Sequence, residues 1–143
     1  MKIKPVILEW IETVHTNYII DLEIESNVTF ISGDSGTGKS AVFSFLWEYS
    51  SEDDKIICLN YIDHNKEYRE SIKKSRGKLF VIDNADILLD DSMRAHIAMD
   101  TENQYIIMGR NPSSLLLSKD DICELYSGRN GDMIIFKLKK LLG

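Results

Sequence analysis

Apolar and polar residues alternate with period two at both ends of this chain and merge into unbroken apolar runs in its middle. Near Val6 to Glu12, the residues Val6, Leu8 and Trp10 recur at every second position. Tyr18, Ile20, Leu22 and Ile24 then alternate with Ile19, Asp21, Glu23 and Glu25. This pattern predicts an antiparallel hairpin with one wet face, turned at Thr16-Asn17. The central runs Val28 to Ile31, Ile56 to Leu59, Leu79 to Ile82 and Tyr105 to Met108 are short and almost wholly apolar. Strands of that kind are buried on both faces, as in a parallel sheet. Helical spacing links Val42, Phe45, Leu46 and Tyr49, with Phe43 and Trp47 widening the stripe. Further helices are predicted over about Lys66 to Ser75, over Asp91 to Met99 with Asp91 or Ser92 as cap, and from Pro112 with Asn111 as cap. In the tail, Ile122 to Tyr126 and Met133 to Leu138 flank Asn130-Gly131, a turn signal that predicts a second hairpin with Ile134, Phe136 and Leu138 inward.

One segment between a predicted strand and a predicted helix carries chemistry. Gly33-Asp34-Ser35-Gly36-Thr37-Gly38-Lys39-Ser40 fits the phosphate-loop pattern G-x-x-x-x-G-K-[ST]. A triphosphate presents closely spaced anionic oxygens, and glycines let successive backbone N–H groups turn toward them. The helix that follows, opening through Ser40 and Ala41, adds unpaired N–H groups and the positive end of its dipole. In this pattern Lys39 meets the β- and γ-phosphates, and the Ser40 hydroxyl ligates Mg²⁺. Gly33 through Ala41 are therefore the candidate cofactor-binding residues. The plainer alternative is a Gly/Ser-rich turn at a helix start.

Leu79-Phe80-Val81-Ile82-Asp83 resembles the Walker B element that accompanies a phosphate loop, which makes Asp83 a second candidate metal ligand beside Ser40. Walker A at Gly33–Ser40 and Walker B at Leu79–Asp83 together resemble the P-loop NTPases, in the branch of AAA+, ABC-type and RecA-like ATPases. The resemblance covers roughly Val28 to Asn111. It implies a three-layer α/β fold around a mostly parallel central sheet ordered 5-1-4-3-2; with the antiparallel hairpins that the alternation predicts at both termini, the whole chain is expected to form a single P-loop nucleotide-binding domain. It implies ATP and Mg²⁺ as cofactors and Lys39, Asp86 and Asn111 as candidate catalytic groups. The branch places a glutamate after the Walker B aspartate, and this chain has Asn84, whose amide can bind water but cannot take its proton. Asp86 is the substitute, with a helix cap or loop role as its alternative. Asn111, or Arg110, stands where AAA+ proteins sense the γ-phosphate, and Asn111 could equally cap the helix at Pro112. Tyr18 or His15 could stack on adenine or belong to the core. Ser118-Lys119-Asp120-Asp121 only approaches the guanine-reading [NT]-K-x-D, which favours ATP over GTP.

The remaining composition sets bounds. A hydrophobic share of 43% with 28% charged residues suits one globular domain with its own core. The apolar runs are too short for a membrane span and the start lacks a signal-peptide core, so a cytoplasmic protein is expected. A net charge of -6 argues against a broad nucleic-acid surface, leaving DNA association to family analogy alone. Lys73, Lys74, Arg76 and Lys78, and Lys137, Lys139 and Lys140, read as solvated faces. Three functions fit this reading: an ATP-binding protein with slow ATPase activity, a non-hydrolysing nucleotide-dependent interaction module, and a small P-loop kinase. A homo-oligomer or a protein partner is compatible with each.

Overall fold

The computed structural model describes residues 4–33, 38–60, 62–63 and 67–141. Strands are β1 (Trp10–His15), β2 (Tyr18–Glu23), β3 (Val28–Ser32), β4 (Ile56–Leu59), β5 (Leu79–Ile82), β6 (Gln104–Met108), β7 (Ile122–Asn130) and β8 (Met133–Lys140). Helices are α1 (Lys39–Ser50), α2 (Tyr68–Lys74), α3 (Ala85–Leu88) and α4 (Asp91–Met99), with a 3₁₀ turn at Lys119–Asp121. Asp90 caps α4 by accepting from the Met93 N–H at 2.8 Å, one position earlier than the sequence pattern indicates.

The topology corrects the expected three-layer P-loop fold with its mostly parallel sheet. All eight strands form one mixed sheet in the order β1-β2-β8-β7-β3-β6-β5-β4. β1 with β2 and β7 with β8 are antiparallel, and β2 joins β8 to merge the two hairpins into that same sheet. Half of the sheet is thus built from the hairpins. It curls: Ile11, Ile20 and Leu22 from one end, Leu125 and Phe136 from the middle, and Ile56, Leu79 and Val81 from the other end share a single cluster with Val42, Phe43 and Leu46 of α1. One helix fills the concave side where a layer of helices was expected. The hairpin strands alternate apolar and polar residues, so they need cover on one face only. On the opposite face the short helices α2, α3 and α4 pack over β3 to β6, through Tyr68, Ile72, Leu88, Met93 and Ile97. Beside β7, strands β3, β6, β5 and β4 run parallel to one another. Their carboxyl ends therefore share one edge.

Two local expectations also change. The first strand begins at Trp10, which is 54% exposed, and Ile11 and Thr13 face inward. Residues 6–8 lie outside the ladder because two buried amides hold them. Gln104 accepts from the N–H groups of Ile7 (3.0 Å) and Leu8 (2.8 Å) and donates to the Leu8 carbonyl, and Asn27 accepts from Val6 N–H at 3.1 Å. No helix forms at Pro112. The buried Arg94 takes the carbonyls of Asn111 (2.6 Å) and Ser113 (2.8 Å), and Ser114 and Leu116 adopt left-handed φ of 65° and 57°.

Val42 and Leu46 are wholly buried, each contributing about 1.5–3 kcal/mol through removal from water. Polar pins fix the register. Gln104→Leu keeps the volume but strands the Ile7 and Leu8 amides, and is expected to cost about 1–3 kcal/mol in urea unfolding. A second expectation concerns acid. Burial pushes the Asp100 carboxyl up, but the Tyr105 hydroxyl (2.6 Å), the Asn103 side chain and the N–H groups of Glu102 and Asn103 outweigh it and hold it below 3.8. A depressed folded value means the ionised carboxylate stabilises the fold above that range and loses its contribution as pH falls through the folded value. Tyr105→Phe should therefore shrink the acid-side loss of stability, measured as the urea midpoint against pH.

Candidate functional site

The carboxyl edge of the parallel strands gathers the chemistry. β3 delivers Gly33, at φ 138°, to the start of the loop. Asp34, Ser35, Gly36 and Thr37 lie outside the described residues. The chain is described again from Gly38, which at φ 98° sits just ahead of α1. Lys39 Nζ donates to the Gly33 carbonyl and so ties the two ends of the loop together. β5 continues through Asp83, whose N–H donates to the Leu59 carbonyl at 2.8 Å. β6 continues through Gly109, whose N–H reaches the Ile31 carbonyl at 3.2 Å.

These ends enclose a cavity of about 400 Å³ lined by Lys39, Ser40, Asp83, Asn84, Asp86 and Arg110, with Gly38 and Ala41 also on its wall. That volume falls in the range of ligand pockets, about 300–1,000 Å³. Gly38, Lys39, Ser40, Ala41, Asp83 and Asp86 thus meet at one place, while Asn111 lies outside the lining. Lys39 and Arg110 bring two positive charges to the wall and Asp83 and Asp86 two negative ones, and no acidic residue occupies the first turn of α1. The Ser40 hydroxyl and the Asp83 carboxylate share the cavity. Among the described residues no group of three or more His, Cys, Asp or Glu forms a cage for a metal. Mg²⁺ needs none, since it is held by one or two protein oxygens plus water and phosphate.

Asp83 lies where its surroundings disfavour the charged form. Burial raises its carboxyl above 3.8, and the Asn84 N–H bond (2.9 Å) and Lys39 only partly offset this. Asn84 adopts a left-handed φ of 53° ahead of α3. Asparagine tolerates that backbone better than glutamate does, because its short polar side chain can bond locally. This gives a conformational reason for the amide that follows Asp83.

Asp86 lies in the first turn of α3 and is already engaged. Its carboxylate accepts from the N–H groups of Arg110 (2.9 Å) and Asn111 (3.1 Å), with Arg94 at 3.5 Å. Arg94 is 4% exposed and also donates to the Leu89 carbonyl at 3.3 Å. Asn111 turns its own side chain to the Ser113 N–H at 3.0 Å. Arg94 belongs to none of the sequence motifs. Its place beside Met93 and Ile97 on the apolar side of α4 was the available signal. Gly109 was also missed: a Cβ there would lie 3.2 Å from Asp86 Oδ1 and 3.3 Å from the Phe30 ring.

Other candidates sit elsewhere. His15 stacks on Phe45 with centroids 4.5 Å apart, and Tyr18 lies 5.1 Å from Phe45 and 6.2 Å from Phe136. Ser118 and Asp121 close a capping box around the 3₁₀ turn, with Ser26 donating to Asp121 at 2.5 Å. Lys137, Lys139 and Lys140 pair with Asp21 (3.0 Å), Glu124 (3.2 Å) and Glu25 (3.0 Å), while Arg76 pairs with Glu102. Among the described residues no helix is long and apolar enough to cross a membrane. No protein-family model matches the chain, and no curated protein or solved structure matches it.

The Asp83 environment carries a stability signature. Its folded value lies above the unfolded one, so ionisation costs stability at neutral pH, and the cost fades as pH falls through the raised value. Asp83→Asn is expected to raise the melting temperature at pH 7, with the gain shrinking toward the ordinary carboxylate range. Calorimetric melting across pH checks this.

Proposed function

We propose that this chain binds ATP together with Mg²⁺ through the loop from Gly33 to Ala41. The observation that supports this most is the shared cavity: Lys39 and Ser40 from the phosphate-loop motif face Asp83 from a strand distant in sequence. Gly38 and Lys39 would bind phosphate oxygens, and Ser40 and Asp83 would hold the ion. Bound Mg²⁺ would supply charge neutralisation between phosphate oxygens. Its charge would also relieve Asp83, which gives a carboxylate in a desolvating place a reason to be there. Arg110 would add positive charge at the rim. A cytoplasmic location fits this reading.

A second reading, a nucleotide-dependent interaction module without hydrolysis, has its own support. Asn84 cannot accept a proton, and the Asp86 carboxylate is committed to Arg94 and two backbone amides. Slow ATPase activity would need Asp86 to exchange one of those partners for water.

Calorimetric titration with ATP and GTP in the presence of Mg²⁺ separates these readings when phosphate release is measured on the same sample. Lys39→Ala is expected to weaken ATP binding by about tenfold or more, as loss of a charge-assisted contact does, with the circular-dichroism spectrum unchanged. Equal binding by the variant and the wild type would sink the nucleotide proposal. Steady phosphate release that disappears in Asp86→Asn would reject the non-hydrolysing reading.

A further inference from the structure

We propose that Phe136, 98 residues after Gly38 in the sequence, is a positioning residue for Gly38 and Lys39 at the helix end of the phosphate loop, so that one ring of strand β8 takes part in binding. The inference rests on the nucleotide reading of the cavity and extends it to a residue outside every motif.

Three observations converge on Phe136. First, a Cβ placed on Gly38 would lie 2.6 Å from Phe136 Cε1 and 3.3 Å from Cδ1, so the ring occupies the space where any larger residue would project. Gly38 is thereby required twice, once by its φ of 98° and once by this ring. Second, the ring has little freedom to withdraw. Phe136 is 8% exposed and lies in register with Ile20 of β2 on one side and Ser127 of β7 on the other. Third, the contact continues along a row of rings. Phe136 stacks on Tyr18, Tyr18 lies against Phe45 of α1, and Phe45 stacks on His15. His15 Nδ1 in turn lies 3.4 Å from Glu48 of α1. The row thus touches α1 at Phe45 and the loop at Gly38, just before the helix starts.

The consequence is geometric. Phosphate binding by a loop of this kind depends on where the N–H groups at the helix start point. Gly38 sets that direction, and Phe136 sets Gly38. Phe136 is not among the residues that line the cavity. Its effect is to hold Gly38 and Lys39 in place before the ligand arrives.

The test is a double-mutant cycle on Mg–ATP affinity with Gly38→Ala, Phe136→Leu and the combination, and with Leu125→Ala as a control. Leu125 is 5% exposed in the same cluster on β7, so its truncation should lower the melting temperature and leave affinity unchanged. Phe136→Leu is expected to weaken binding several-fold. Gly38→Ala should cost less in the Phe136→Leu background than in the wild type, because the clash with Cε1 is gone, giving a coupling of about fivefold or more. The wild-type chain supplies a measurement that needs no folded variant: the Phe136 ring signals in the NMR spectrum should shift on saturation with Mg–ATP. Wild-type affinity in Phe136→Leu, independent effects in the cycle, or unmoved ring signals would overturn the role of Phe136 and leave the nucleotide site standing. A wild-type chain that binds neither ATP nor GTP would overturn the nucleotide site, and this role with it.

Discussion

Burial of α1 against the concave side of the sheet is the constraint on which the rest of the molecule depends. The helix contributes Val42, Phe43 and Leu46 to a cluster that draws on both ends of the sheet. A flat sheet of eight strands could not bring Ile11 and Ile56 to the same helix, so curling follows from the need to cover that helix with the apolar sides of two hairpins. The start of the helix is then fixed at the carboxyl edge of β3, where the loop of Gly33 to Ser40 begins and ends. The core and the candidate site are in this sense one problem: the hydrophobic effect places the helix, and the helix places its N–H groups.

Polar groups refine what burial leaves loose. Asn27 and Gln104 tie the N-terminal segment to the amino ends of β3 and β6. At the opposite edge Arg94 and Asp86 hold the turn after β6 through four backbone groups, the N–H groups of Arg110 and Asn111 and the carbonyls of Asn111 and Ser113, and Arg94 also takes the Leu89 carbonyl. A buried guanidinium is costly unless its donors are satisfied, and here they are met mostly by carbonyls. The walls of the cavity are therefore positioned by side chains that do not themselves face it, with Asp86 as the member that does both.

Much of this was legible in the sequence, for identifiable reasons. The four central runs became β3, β4, β5 and β6 because uninterrupted apolar segments bounded by polar ones have few alternatives. Lys39, Ser40 and Asp83, which the sequence patterns singled out, line one cavity. The overall architecture was misjudged because period-two alternation says that a strand has one wet face and does not say which strand it will pair with. The β2–β8 pairing, which merges the hairpins, joins segments more than a hundred residues apart. The first strand was misplaced for a related reason. Val6, Leu8 and Trp10 alternate as well as Ile11 and Thr13 do, and only the amides of Gln104 and Asn27 decide that residues 6–8 stay outside. The helix expected at Pro112 was lost to Arg94, whose claim on the carbonyls of Asn111 and Ser113 is a tertiary effect no local pattern carries.

The left-handed backbone at Asn84 limits how this chain can change. A glutamate there would meet about 1–2 kcal/mol of conformational cost, or else the β5–α3 turn would have to be rebuilt. Rebuilding that turn would move Asp86, which lies two residues on, and so release the Arg110 and Asn111 amides from their acceptor. Position 84 and the rim on the far side of the cavity are thus inherited as a unit. A change of chemistry at Asn84 is not one mutational step away: it has to be accompanied by a new way of holding the turn after β6.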